Sequence, residues 1–195
     1  EFYSGKKFKK TSYPSVLFLN RIKRYKGVIT LLDAAKIIQN KDKRIRIWIA
    51  GGGEDLQYVQ QYAKDCGLKN VTFLGRVSEK KKRELMQKAW MFVNPSMKEG
   101  WGIVNIEANY AGTLAIGSRV GGIKDSIVDN KTGVLFEQNN YAELAEKIIT
   151  LAKDKKLREK LEKNALIWAG NFDWGYKAKQ YLDLLVGCVK HYRRN

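Results

Sequence analysis

Long apolar runs are missing from this 195-residue chain, whose apolar stretches last only a few residues each, far short of a bilayer-crossing helix. No apolar segment near the start has the make-up of a secretory leader. Cysteine is scarce. Cys66 and Cys188 stand far apart at neither metal nor redox spacing, which argues against a disulfide framework and fits a reducing cytosol. Histidine occurs once, as His191 close to the C-terminal end, where a solvated side chain is expected in preference to a catalytic one. Acids are also short: 20 Asp and Glu face 37 Lys and Arg, a formal charge of +17. Such a surplus attracts nucleic acid, an acidic membrane surface or a phosphorylated metabolite. It also simply solubilises, and a run such as "EKKKRE" fits that use. Charge therefore ranks partners and names none.

What is present reads as one generous folded domain, 44% hydrophobic and 29% charged. Residues 1–13, "EFYSGKKFKKTSY", are polar and basic and read as a linker or tail. From Pro14 the texture changes. "SVLFLN" (15–20) is a continuous apolar run, as in a strand buried on both faces. Val28, Leu31, Leu32, Ala35 and Ile38 then recur at helical spacing, predicting a helix over 26–40. The alternation repeats. Strands are expected at 44–50, 71–75, 90–95, 113–118 and 133–137. Helices are expected at 54–66, 79–89, about 102–111, 122–129, 140–152, 154–169 and 173–190. Strand and helix alternating through short glycine-marked turns imply a doubly wound, six-stranded parallel sheet, a Rossmann-like α/β fold. No internal repeat and no low-complexity segment interrupts it.

Sheets of this kind bind ligands beyond the carboxyl ends of their strands. Three loops fall there. "NRIKRYKGV" follows the first strand and brings Arg21, Lys23, Arg24 and Lys26 together; they suit either a diphosphate or a solvated basic turn. "GGGED" follows the second strand, lacks dinucleotide-fingerprint spacing, and is accounted for by a tight turn. "KEGWGIVNIEA" (98–108) follows the fourth. Gly100 and Gly102 permit close backbone approach to a ligand, with Trp101 expected to be exposed between them. Gly102 and Ile103 start a helix whose free amides and positive dipole end favour an anion. Glu107 lies about 7.5 Å further along that axis, the separation of a nucleotide's ribose from its outer phosphate. Glu99 and Glu107 are thus either two parts of one nucleotide site or a loop acid and an unrelated helix acid.

The flanking sequence bears on that choice. "NPSMKEGWGIVNIEANYAGTLAIGSRVGGIKDSIVDNKTGVLFE" resembles the signature of the glycosyl transferases group 1, a large group of retaining glycosyltransferases. Pro95-Ser96, Glu99-Gly100-Trp101-Gly102, Glu107-Ala108, Gly112, Gly121-Gly122 and Gly133 fall in register with it, the two glutamates forming its E-x7-E pattern. "NRIKRYKG" resembles the family's Gly-Arg-Leu…Lys-Gly segment, and "IWIAGGGED" and "VTFLGRVSE" its next two strands; the match covers most of residues 14–189. Trp101 replaces the usual Phe, Asn105 an apolar residue, Asn109 and Leu114 the frequent Met and Pro, and Asn20 a Gly.

The resemblance implies a GT-B architecture, two Rossmann-like domains around a cleft, of which this chain is similar to the donor-binding C-terminal half. Residues 1–13 would be an interdomain linker remnant, 14–172 the nucleotide-sugar-binding domain, and 173–195 a C-terminal helix and tail. It implies that Arg21, Lys26, Gly102 and the amides of Ile103 and Val104 bind the donor diphosphate. Glu99, the candidate catalytic residue, would orient the sugar, with the backbone of Gly100, Trp101 and Gly102 on its hydroxyls. Glu107 would bind the ribose, and the base would lie near Arg76 and Val77. The donor would be a UDP- or GDP-linked hexose and the acceptor a sugar or lipid-linked molecule held by an N-terminal domain. No D-x-D pair occurs, so neither metal nor other cofactor is expected. Without the acceptor half, little transfer is expected. The expected location is the cytoplasm, with the basic charge also suiting its membrane face in the full-length protein. A silent GT-B-like interaction domain and a nucleic-acid module are the alternatives; nucleic acid is not the expected partner, since no recognisable motif for it appears.

Overall fold

The computed structural model describes residues 9–172 and 174–192. Six strands form one parallel sheet: β1 (Ser15–Leu19), β2 (Arg46–Ala50), β3 (Val71–Gly75), β4 (Met91–Asn94), β5 (Leu114–Ser118) and β6 (Val134–Phe136), in the spatial order β3-β2-β1-β4-β5-β6. The expected doubly wound Rossmann-like sheet is the one observed. Each strand is an apolar run because both faces are covered, and alternate residues feed two cores. Val16, Phe18, Ile47, Ile49, Met91, Val93 and Ile116 pack with α1 (Val28–Lys41), α2 (Leu56–Asp65), α6 (Tyr141–Lys153) and α7 (Lys155–Gly170). Leu17, Ala50, Phe92, Ala115 and Leu135 pack with α3 (Glu79–Lys88), α4 (Ile103–Tyr110) and α5 (Ile123–Ser126). Each fully buried large side chain contributes roughly 1.5–3 kcal/mol, so the two layers together hold the sheet.

The chain order reverses between β1 and β4, which are direct neighbours through Val16↔Met91 and Leu17↔Phe92. The loops leaving these two strands must therefore open side by side, at the switch point where such sheets take ligands.

Element boundaries differ from expectation at two informative places. The first helix does not include Lys26. Arg24–Lys26 form a 3-10 turn, and Gly27, at φ +70° and tight against the Pro95 carbonyl, resets the chain before α1. α5 is four residues long, because Ile127 turns extended (φ −125°, ψ 115°) and is buried beside Gly117.

At the chain ends, residues 1–8 of the expected linker lie outside the described residues, while Lys10–Tyr13 lie against the domain. Thr11 donates its amide to Lys88 and accepts from the Trp90 indole at 2.8 Å. α8 (Trp174–Tyr192) closes the described chain; residues 173 and 193–195 of the C-terminal segment, and the side chain of His191, lie outside it. Among the described residues no helix is long and apolar enough to cross a membrane.

Candidate functional site

The loop after β1 carries Lys26 and the loop after β4 carries Glu99, and strand adjacency brings them together. The Lys26 ammonium donates to Glu99 Oε2 at 2.7 Å, with side chains 7% and 19% exposed. Ser96 Oγ reaches the same oxygen at 3.3 Å. The backbone ties the loops further, since Met97 donates to the Tyr25 carbonyl at 2.8 Å. A largely buried ion pair adds little net stability, because desolvation offsets its attraction. It does hold a cation and a carboxylate in fixed positions beside the switch point.

The acids of "GGGED" hold the β1 loop at two points. Lys23 pairs with Glu54 at 3.2 Å, and the Arg24 amide donates to Asp55 at 2.6 Å. Arg21 is exposed and its guanidinium has no ion-pair partner among the described residues. Lys26 is the cation of this loop that Glu99 holds, and the acidic loop that reads as a plain turn anchors Lys23 and the Arg24 backbone.

Glu99 to Gly102 lead into α4. Gly102 adopts φ +78°, caps α4 without any side-chain hydrogen bond, and leaves the first amides, those of Ile103 and Val104, uncapped with no acid in the first turn. The Gly121-Gly122 turn lies underneath, where a Cβ on Gly122 would overlap the Gly100 carbonyl outright. Gly100 faces open space. Trp101 is not exposed as expected. Its ring is half-buried, edge-to-face on Phe172 with centroids 4.9 Å apart, and Phe172 meets Trp168 at 5.1 Å. The indole straps the loop to the end of α7, leaving Gly100 exposed and Gly102 buried.

A buried polar network fixes this loop from behind. Ser96 donates to Asn94 Oδ1 at 2.7 Å, and Asn94 donates to Asn105 Oδ1 at 3.1 Å. Asn105 in turn donates to Ser126 Oγ at 2.8 Å, and Ser126 to the Ile123 carbonyl at 3.1 Å. Asn105 is fully buried, and Asn94 and Ser126 are what satisfy it.

Glu107 lies on α4 beyond the helix start, 19% exposed. Its carboxylate is bridged by Lys82 of α3, with the ammonium 3.1 Å from Oε1 and 2.9 Å from Oε2. Lys82 belongs to the run "EKKKRE", which reads as solvated in the sequence; its own side chain is 15% exposed. The available signal is its helical spacing, three and four residues before the buried Leu85 and Met86. Arg76 is exposed and lies across the β2 loop, where a Cβ on Gly52 would come within 2.7 Å of its Nε; Val77 packs on the second core. Glu99 and Glu107 are therefore not a pair acting on one another. Each is held by its own lysine.

The family described as "Glycosyl transferases group 1" matches residues 1–168. A glycosyltransferase of Methanocaldococcus jannaschii is 32% identical over 158 residues, covering 81% of this chain and 44% of that protein, so the chain spans under half of that relative's length. Anabaena HepE, solved in complex with UDP and glucose, superposes with a TM-score of 0.81 at 23% identity, covering 88% of this chain and 48% of that one. The C-terminal domain of the group 1 glycosyltransferase LpcC from Francisella tularensis superposes at 0.75 and 24% identity, covering 84% and 87%. The fold is that of a GT-B Rossmann-like domain.

Proposed function

Because the chain belongs to the glycosyl transferases group 1 family, we propose that it is the nucleotide-sugar-binding half of a retaining glycosyltransferase. It takes a UDP- or GDP-linked hexose and needs no metal or other cofactor. The hexosyl group passes to a sugar or lipid-linked acceptor held by the remainder of a longer protein, with little transfer by this chain alone. The observation that carries the reading is the pair of lysine-held carboxylates on either side of one uncapped helix start. Lys26–Glu99 stands before α4 and Lys82–Glu107 beyond its first turn.

When the bond from the sugar's anomeric carbon to the diphosphate oxygen breaks, negative charge grows on the departing diphosphate. Lys26, Arg21 and the amides of Ile103 and Val104 meet that charge, and the amides, fixed by the helix, need no reorganisation to do so. Glu99 accepts from sugar hydroxyls and orients the reacting face. Glu107 accepts from the ribose diol, and the base lies along Arg76 and Val77. Pairing Lys26 with Glu99 keeps both ordered before the donor arrives, and the diphosphate then shares the ammonium.

Calorimetric titration with a panel of UDP- and GDP-hexoses tests the reading. One donor is expected to bind, and Glu107→Gln to weaken it by about tenfold or more, the loss of hydrogen bonds to a charged acceptor. A chain that binds none of the panel, or binds equally well as Glu107→Gln, defeats it.

A further inference from the structure

α3 supplies a residue that the donor clamp does not itself require. Lys80 and Lys81 of the basic run are exposed, Lys81 pairing with Glu84 at 3.1 Å. Lys82 turns inward instead. Its ammonium bridges both oxygens of Glu107 and lies 3.8 Å from the exposed carboxylate of Glu79. Its helix begins at Glu79, just after the loop that carries Arg76 and Val77, so Lys82 ties Glu107 to the helix that follows that loop.

We propose that Lys82 is a positioning residue that presents Glu107 to a ribose diol and thereby gives the site its preference for ribo- over 2′-deoxyribonucleotides. The inference rests on the reading of Glu107 as the ribose ligand. Two physical demands support it. Glu107 is four residues past Ile103, about 6 Å along the axis from the amides that would receive a diphosphate. An uncompensated carboxylate at that distance repels the incoming anion, and in a half-buried crevice water screens the repulsion poorly. Lys82 cancels the charge where it arises. The second demand is geometric. A carboxylate can rotate, and few settings meet two neighbouring hydroxyls at once. The bridging ammonium fixes one setting with Oε2 buried, so that a diol is met from one side by a carboxylate that cannot turn. A 2′-deoxyribose brings one donor fewer and leaves a desolvated acceptor unmet, which is how a site built for a hydroxyl rejects its analogue.

The test is calorimetric titration of the chain with UDP against 2′-deoxy-UDP, repeated with GDP against 2′-deoxy-GDP. The original chain is expected to prefer the ribo form of the base it binds by about tenfold or more, as for a hydrogen bond to a charged group. Lys82→Met should lose most of that preference, Lys82→Arg should keep it, and adding Lys82→Met to Glu107→Gln should change nothing further. Should Lys82→Met fail to melt cooperatively, Lys82→Gln carries the same comparison. If Lys82→Met keeps the preference while Glu107→Gln loses it, the proposal falls and the Glu107 reading stands. A Lys82→Met that weakens both nucleotides equally, preference intact, overturns the proposal in the same way. No ribo preference in the original chain, or an unchanged one in Glu107→Gln, removes the reading of Glu107 and the proposal with it.

Discussion

Gly100 and Gly122 lie against each other beneath the loop that carries Glu99, and between them they separate what folds the site from what would bind in it. A Cβ on Gly122 would run into the Gly100 carbonyl and come close to the Trp101 backbone, neither of which is a flexible side chain that can swing away. Gly122→Ala must therefore push the Glu99–Gly102 loop off its turn. The expected cost is about 1–3 kcal/mol of stability, as for other overpacked sites, with a parallel loss of nucleotide-sugar affinity. Gly100→Ala is the contrast. Nothing lies within 4 Å of the place its Cβ would take, and its φ is not in the left-handed region. Its stability should change by less than about 0.5 kcal/mol, while donor affinity falls if sugar hydroxyls approach the backbone there. Thermal melting and titration of the two variants separate the cases; a Gly122→Ala chain with wild-type melting would refute the packing. Gly100 was legible in the sequence from its place beside Glu99, and Gly122 only through the family resemblance. Lys82 was not, because a lysine in a lysine run carries no mark of direction until the helix's buried face is fixed by Leu85 and Met86.

At the scale of elements, the strands were legible because a sheet covered on both faces demands unbroken apolar runs, and β1 and β3 fall within a residue of expectation. Boundaries slipped where a tertiary contact overrode local pattern. Gly27 against Pro95 separates Lys26 from α1, and the Phe172 ring takes Trp101 out of solvent. The coupling of β4, α4 and α5 was equally hidden, since no spacing reveals that Asn94, Asn105 and Ser126 converge. In the fold those three side chains are buried and their hydrogen bonds run in one series from Ser96 to the Ile123 carbonyl. Asn105→Leu keeps the branching of the side chain and removes the link. It leaves the Asn94 amide without its buried acceptor, so a loss of about 1–3 kcal/mol is expected in denaturant unfolding. Because the same network holds Ser96, and Ser96 touches Glu99, affinity for a nucleotide-sugar should fall more than affinity for the free nucleotide. A loss of stability below about 0.5 kcal/mol would mean that the series does not hold the loop.

Across the whole molecule, the candidate site and the docked N-terminal segment sit at opposite ends of the strands. Lys26 and Glu99 follow the carboxyl ends of β1 and β4, whereas Lys10 donates to the carbonyl of Ala89 at 2.5 Å and to Thr113 Oγ1 at 2.7 Å, just before β4 and β5 begin. Around it stand Glu162, whose carboxyl is pushed up by burial, and Arg158, lying 4.1 Å over the Trp90 ring. Burial is the largest influence on the Lys10 amine and pushes it down from 10.5 to about 8; the Glu162 charge opposes this and the Arg158 charge adds to it. The sign of the consequence follows from proton counting. Below pH 8 the amine is charged folded or unfolded, and the folded chain bears the cost of keeping an ammonium from water. Between pH 8 and 10.5 the unfolded chain holds a proton that the folded chain has released, so Lys10 makes stability rise with pH across that window. The full span is worth on the order of 3 kcal/mol at most. Lys10→Met removes the titration while keeping the apolar stem, and the other surface lysines are common to both chains and cancel in the difference. Unfolding free energies measured in denaturant at pH 7, 8.5 and 10 should therefore show the original chain gaining on Lys10→Met as pH rises. A difference that stays flat, or moves in the other direction, would mean that the Lys10 ammonium is solvated and that the N-terminal segment is not held against the amino edge of the sheet by this contact.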